Sequence, residues 1–255
     1  MTHLRALVFA TTACLLLGCS PAPKAEFEAP RNTIAPYDTA QGEVLWAVAT
    51  LRNESGVSLF EPEDVTDKLI KAAEEIRGVR TIPQNRVLQA MTALGLKGLG
   101  SPADARKLAE ALGADAILVG TITSYDPYTP SIGLSVGLFA RPGAMMPRSA
   151  GSVDSRSLTT ATTDAAAAPA RSPNAPLAMV SCLLDGKNHQ VQLDLKRFAM
   201  GRSPNESAIG WRRYLASMDL YSEFASHQVL AELMQAEWLR VGAEGAGERV
   251  ARSDR

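Results

Sequence analysis

Apolar and polar positions show two different patterns along residues 44–123, and together these patterns predict a layered α/β fold. Val44–Ala49 is a continuous apolar run, which is typical of a strand covered on both faces. Val79–Ile82 predicts a short strand, and Ala116–Ile122 predicts a second buried strand. Between these strands, apolar residues recur at helical spacing. The three helical segments begin near prolines, which are common in the first turn of a helix: Pro62, Pro83 and Pro102.

The second half of the chain predicts further strands and a long helix. Apolar and small residues alternate over Ser131–Ala140, so this strand has one apolar face. Met179–Leu184 and Val191–Leu195 predict two more strands, joined by a turn at Asp185-Gly186. Ser203–Glu206 is a capping box that begins the long helix. We expect this helix to bend at Gly210 and to end near Gly242.

The order of these elements predicts the α/β class, with helices packed on a mixed sheet. One domain would comprise residues 41–140 and 177–241, ending in the long C-terminal helix. Residues 141–176 are rich in Ala, Ser, Thr and Pro without periodicity, and we expect a disordered insertion there. By the same reasoning, residues 19–40 form a flexible tether and residues 242–255 a disordered tail.

The first 18 residues have the features of an export signal. Arg5 precedes an uncharged, mostly apolar run of about a dozen residues, which is too short to cross a bilayer core of ~30 Å. The sequence Leu16-Leu17-Gly18-Cys19 resembles the bacterial lipobox. The resemblance implies cleavage between Gly18 and Cys19, with diacylglycerol on the Cys19 thiol and an acyl chain such as palmitate on the new amino terminus. Two or three lipid chains hold a protein stably at a membrane.

Composition excludes several classes of function. The chain has 26 Lys and Arg residues against 27 Asp and Glu residues, so no basic surface predicts nucleic-acid binding. Cys14 belongs to the signal and Cys19 to the lipid site, which leaves Cys182 without a partner for an internal disulfide. The Cys and His residues have no metal-site spacing. We therefore expect neither a metal nor a cofactor.

Cys182, His189 and Asp185 are the residues that would suit a thiol nucleophile. Cys182 lies inside an apolar strand, however, and a buried free cysteine usually behaves as a small apolar residue. We therefore predict that the chain is not an enzyme.

Three stretches resemble the superfamily of the curli-secretion-channel lipoprotein, which includes the lipoprotein activator of penicillin-binding proteins and the amino-terminal domain of the Tol propeller protein. They are Asn53–Gly56 after the first strand, Asn85–Leu88 in the second helix, and Leu112–Thr121, a helix end followed by a buried strand. The resemblance covers about residues 44–123 and implies a non-enzymatic domain that binds protein partners in the cell envelope. Leu51 departs from the pattern, since the family usually has Phe there.

The final helix carries more aromatic residues than one stripe needs. Trp211, Tyr214, Met218 and Tyr221 share one side. We favour packing of this side on the sheet. The alternative is a surface for partner binding or self-association, because aromatic residues and Met are enriched at interfaces. Self-association would make the chain a homo-oligomer.

Two functions follow from these patterns. The first is a non-enzymatic protein-binding or assembly module, anchored through Cys19 to a bacterial membrane and bound to an envelope protein. Ser20 after the cysteine is typical of lipoproteins of the outer membrane that face the periplasm. The alternative is a subunit of an oligomeric outer-membrane secretion channel, which needs membrane-crossing strands of ~9–11 residues. Ile132–Phe139 would supply one of them, but the insertion has no second apolar face.

Overall fold

A mixed sheet forms the centre of the part of the chain that the structure describes. This structure is a computed structural model, and it describes residues 33–37, 42–141, 144–145, 175–200, 202 and 209–253. Within these residues the strands are β1 (Val44–Val48), β2 (Arg52–Asn53), β3 (Val79–Thr81), β4 (Ala116–Asp126), β5 (Ser131–Ala140) and β6 (Ala178–Asp185). Their order is β3-β1-β4-β5-β6, and β2 pairs with β4 beyond the end of β1. β1 is parallel to β3 and β4, whereas β4, β5 and β6 are antiparallel.

Helices cover both faces of the parallel half of the sheet. They are α1 (Pro62–Glu74), α2 (Gln84–Ala93), α3 (Pro102–Leu112), α4 (His189–Ala199), α5 (Arg213–Ala216) and α6 (Met218–Ser253). Buried residues of α1 and α6 share the larger core cluster with Trp46, Leu118 and Leu134 of the sheet. Val87 of α2 and Leu108 of α3 share a second cluster with the opposite face. The predicted α/β class, with helices packed on a mixed sheet, is therefore confirmed.

The segment predicted as a strand at Val191–Leu195 is part of helix α4 instead. Val191, Leu195 and Ala199 are its buried residues, spaced four apart, as one face of a helix requires. The Asn188 side chain caps the helix by accepting a hydrogen bond from the Gln190 N–H. The short Val-Gln-Leu-Asp-Leu run fits both strand and helix periods, and the capped helix is the state that the chain adopts.

The last helical region differs from the single bent helix that the sequence predicts. A short 3-10 turn at Gly210–Arg212 leads into α5, and the extended backbone of Ser217 separates α5 from α6. α6 then continues past Gly242 to Ser253, so the predicted helix end near Gly242 is wrong. The capping box at Ser203–Glu206 lies outside the described residues. No helix of the described residues is both long enough and apolar enough to span a membrane.

Residues 33–37, which we call the docked segment, belong to the fold although the sequence predicts a tether there. The Ala35 N–H donates to the Arg77 carbonyl at 3.0 Å, and the Arg77 N–H donates to the Thr33 carbonyl at 3.0 Å. Trp238 of α6 donates its indole N–H to the Ile34 carbonyl at 2.9 Å. The docked segment is thereby fixed to both the α1–β3 turn and α6.

Tyr37 joins the docked segment to a buried ion pair. Its side chain is 0% exposed, and its hydroxyl donates to Glu237 Oε2 at 2.9 Å. Arg240 holds the same carboxylate through two hydrogen bonds, from Nε at 2.8 Å and from Nη2 at 2.7 Å. A buried carboxylate needs such partners because its charge is costly away from water. The other parts of the predicted tether, and the predicted signal at residues 1–18, lie outside the described residues.

Both ends of the predicted insertion also pack on the domain. The Arg141 guanidinium pairs with Asp115 at 2.9 Å, and Met145 is buried. A Cβ placed on Gly137 of β5 would lie 3.6 Å from the Pro176 Cβ, so Pro176 lies close to this strand. Residues 142–143 and 146–174 of the insertion lie outside the described residues.

Candidate interaction surfaces

The thiol of Cys182 is not activated in this structure. Cys182 is half-buried in β6, and burial, together with the Glu232 carboxylate, raises the pKa of its thiol to about 12. The thiol therefore stays protonated at neutral pH, and the thiolate is the form that acts as a nucleophile. Asp185 ends the same strand and His189 begins α4, where its side chain is exposed. Within the described residues, no group of three or more His, Cys, Asp or Glu side chains is placed to hold a metal ion.

A second histidine, His227 of α6, lies in a cleft beside α4. Its ring centroid is 5.0 Å from that of Phe198, and the Arg202 guanidinium lies over the Phe198 ring at 4.0 Å from its centroid. Burial and then the Arg202 charge lower the pKa of His227 to about 4, so the ring is neutral at neutral pH. Arg202 pairs with Glu75, and Lys68 at the same cleft pairs with Asp219 at 2.7 Å. Lys71 and Arg213 also line this cleft, so its cations outnumber the carboxylates of Glu75 and Glu223.

The aromatic side predicted on the last helix is mostly part of the core. Tyr214 is 2% exposed and Tyr221 is 0% exposed, so neither contributes to a partner surface. The Tyr214 ring packs edge-on against Phe198 at 5.6 Å between centroids. Trp211 and Met218 pack against the same core and keep part of their surface exposed. The packing interpretation therefore holds for the two tyrosines, and their assignment to a partner-binding surface is wrong.

The strand that the channel alternative would place in a membrane also has its apolar face in the core. Ile132, Leu134 and Leu138 of β5 are fully buried, and Val136 is nearly so. They pack in the same cluster as α6 residues such as Val229 and Leu233. In this structure the apolar face of Ile132–Phe139 therefore has protein, and not lipid, as its neighbour.

The outer face of β6 is an exposed apolar surface that the sequence analysis did not identify. Met179 is 65% exposed and Leu183 is 64% exposed, with Ser181 between them on the same face. We call these three residues the β6 surface. Their partners on β5 are small residues: Gly137, Ser135 and Gly133. The Ser135 and Ser181 hydroxyl oxygens lie 2.7 Å apart. Met179 and Leu183 therefore project from a part of the sheet whose neighbouring residues on β5 are small.

β6 is also the last strand of the sheet in the described residues, so one side of its backbone has no strand partner there. The Gly186 N–H donates to the Pro130 carbonyl at 2.8 Å, in register with the β5–β6 ladder. Because bonded and non-bonded pairs alternate in an antiparallel ladder, the N–H and C=O groups of Met179, Ser181 and Leu183 point outward. Residues 178–184 contain no charge and no proline, the usual devices that keep an edge strand from pairing.

Known proteins resemble this chain only distantly. No family model and no curated protein matches it. Among solved structures, the C-terminal domain of LpoB from Salmonella enterica is 20% identical, with a TM-score of 0.33 over 43% of this chain and 75% of that one. The lipoprotein GNA1162 from Neisseria meningitidis is 16% identical, with a TM-score of 0.35 over 64% and 99%. The hypothetical protein CT253 from Chlamydia trachomatis is 10% identical, with a TM-score of 0.38 over 77% and 98%.

At these identities and TM-scores, the matches indicate no more than a loose likeness of fold. Their identities and scores are too low to carry an argument about family or function.

Proposed function

We propose that this chain is a lipid-anchored, non-enzymatic binding and assembly module of the bacterial cell envelope. The Leu16–Cys19 sequence supports the anchor, since it stands where a lipobox would end an export signal. The observation that carries the assembly role is the exposed, uncharged outer edge of β6. An unpaired strand edge of this kind is a template for another strand.

The strand that best fits the β6 edge is β6 of a second copy. In an antiparallel pair with its two-fold axis at Ser181, Met179 lies opposite Leu183 of the second copy, and Leu183 lies opposite its Met179. The apolar residues of the β6 surface would therefore cover each other. The nearest charges, Asp185 and Lys187, would lie opposite Leu177 and Ala175, so no like charges meet. A self-complementary patch is what a two-fold interface requires.

Pairing through one strand is a small interface, compared with ~1,600 Å² for a standard stable complex. We therefore expect weak association in solution and stronger association on a membrane. Copies held on one surface by lipid meet at a higher effective concentration than free copies do. The anchor and the strand edge would then act together in assembly.

A pair of double variants tests this register. Met179→Lys with Leu183→Lys places like charges opposite each other across the proposed axis, whereas Met179→Lys with Leu183→Glu places opposite charges there. Both variants remove the same apolar surface. Within one chain the two positions are four residues apart on a strand, about 13 Å, so their effect on each other is small.

Dissociation constants would be measured by sedimentation equilibrium on the mature chain carrying Cys19→Ser, at concentrations up to about 1 mM. We expect the Lys/Glu variant to associate about tenfold more tightly than the Lys/Lys variant. Equal constants for the two variants, or a parent chain that stays monomeric throughout, would contradict assembly through β6. Thermal unfolding of each variant serves as the control for folding.

A further inference from the structure

An open groove lies at the other edge of the sheet, beside β3 and between α2 and α3. Its volume is about 700 Å³. Its floor is apolar and includes Leu45 of β1, Ile82 after β3 and Leu112 at the end of α3. The side chains of Arg80, Arg86 and Gln89 are exposed along its rim. A binding site for a peptide or small molecule commonly combines such an apolar floor with a few polar groups.

The charge of the groove is of one sign. Among the described residues, Arg80 and Arg86 are the only charged residues that line it. Neither guanidinium forms an ion pair with a described residue. The carboxylates of two residues that contact its lining are already engaged. Glu74 accepts a hydrogen bond from the Thr81 hydroxyl at 2.6 Å. Asp115 accepts one from the Leu45 N–H at 2.9 Å and pairs with Arg141.

We infer that this groove binds an acidic, apolar segment of another envelope protein, with carboxylates paired to Arg80 and Arg86. Arginine suits this role because its planar guanidinium donates two parallel hydrogen bonds to a carboxylate. Apolar side chains of the segment would cover Leu45, Ile82 and Leu112. A small anion would leave this floor uncovered. Nucleic acid would need a broader basic surface than two arginines provide.

The inference rests on the protein-binding part of the proposed function, and it is independent of pairing through β6. The groove and the β6 surface lie at opposite ends of the strand order β3-β1-β4-β5-β6. One chain can therefore use both surfaces, and a variant of one surface leaves the other intact.

Fluorescence anisotropy with a short labelled peptide of alternating Glu and Leu tests the inference. The protein is the mature chain carrying Cys19→Ser. We expect the combined Arg80→Gln and Arg86→Gln variant to bind this probe about tenfold more weakly than the parent chain does. Lys107→Gln is the matched control, because Lys107 is an exposed cation of α3 that does not line the groove. It should bind within twofold of the parent.

Two further probes separate the charge from the floor. A peptide with Gln in place of Glu lacks the carboxylates, and one with Ser in place of Leu lacks the apolar side chains. Both should bind more weakly than the Glu-Leu probe. Equal binding of either one, no measurable binding of the Glu-Leu probe, or unchanged affinity of the arginine variant would overturn the inference.

The Met179→Lys with Leu183→Lys variant distinguishes the two proposals. It should bind the Glu-Leu probe with the parent affinity while its self-association is weakened. Failure of self-association alone would then count against the β6 proposal and leave the groove standing. A loss of probe binding in this variant would contradict a separate binding site at the groove.

Discussion

His227 shows how one buried side chain makes the fold sensitive to acid. Its ring packs beside Phe198 near the Arg202 charge, and its Nδ1 atom has no hydrogen-bond partner within the described residues. Each feature disfavours a second proton on the ring. The folded state therefore binds a proton at His227 far more weakly than the unfolded chain does.

We predict that the free energy of unfolding falls as the pH drops from about 6.5 towards 4. The unfolded chain takes up the proton near pH 6.5, whereas the pKa of His227 in the folded state is about 4. The contribution of neutral His227 to the free energy of unfolding is therefore fully present above pH 6.5. It is lost as the pH falls towards 4, and the loss is roughly 2–3 kcal/mol at most. Urea unfolding of the parent chain and of His227→Gln at several pH values would measure it.

His189→Gln is the matched control, since His189 is exposed at the start of α4. It should keep the pH dependence of the parent chain, whereas His227→Gln should lose most of it. An unchanged slope in His227→Gln would show that other groups cause the acid sensitivity.

At the scale of elements, the packing of β4 against β5 leaves no room for a side chain at Gly120. A Cβ placed on Gly120 would lie 2.6 Å from the Ser135 carbonyl oxygen and 2.8 Å from Val136 Cγ1. The Ser135 oxygen belongs to the backbone of the neighbouring strand and cannot rotate away. Gly120 therefore allows Leu51, β4 and β5 to pack together in the core.

We predict that Gly120→Ala lowers the free energy of unfolding by ~1–3 kcal/mol, because the added methyl group overpacks the core. Gly98→Ala is the control, since a Cβ at Gly98 meets nothing within 4 Å. We expect Gly98→Ala to change stability by no more than ~0.5 kcal/mol. Chemical denaturation measures both, and equal effects at the two positions would refute the packing argument.

The elements that local sequence determines were predicted well. β1, β5 and α3 follow from a buried run, from alternation, and from a capped helix in which the Ser101 hydroxyl accepts from the Asp104 N–H. Helix α4 was predicted wrongly, because the five residues Val191–Leu195 fit both the two-residue period of a strand and the 3.6-residue period of a helix. The deciding residues are Asn188 before the segment and Ala199 beyond it. A longer window that included the cap would have favoured the helix.

The candidate surfaces depend on contacts that no local pattern contains. Tyr37 and Glu237 are 200 positions apart in the chain. The exposure of Met179 and Leu183 follows from the position of β6 at the end of the sheet, which the sequence of β6 alone does not specify. Arg80 and Arg86 come to share a groove only because β3 and α2 pack beside α3. Sequence reasoning could identify the aromatic residues of α5 and α6, but it could not determine which of them are buried.

At the scale of the whole molecule, the sheet separates two surfaces of different chemistry. The β6 surface is uncharged, and we propose that it pairs with a copy of itself. The groove beside β3 is lined by two arginines, and we propose that it binds an acidic segment. A module with both could assemble at one end and hold a partner at the other. The proposed lipid on Cys19 would keep these events at a membrane.

We predict that the protein extracted from bacterial membranes begins at Cys19 and carries the added mass of diacylglycerol and an acyl chain. Intact-mass and peptide mass spectrometry would measure both. Cys19→Ala should remain uncleaved or lose its lipid mass. An unlipidated mature protein, or one that begins at another residue, would contradict the anchor.

With the proposed lipid on Cys19, the docked segment would set how far the domain can stand from the membrane. If the chain first met the domain at Gln41, the 22 residue steps from Cys19 would allow a reach of about 80 Å. The segment joins the fold at Thr33, only 14 steps from Cys19, which limits the reach to about 50 Å. Tyr37, Glu237 and Trp238 thus shorten the reach by more than a third. The domain could then contact a partner only if the partner's binding segment lies within this distance of the membrane.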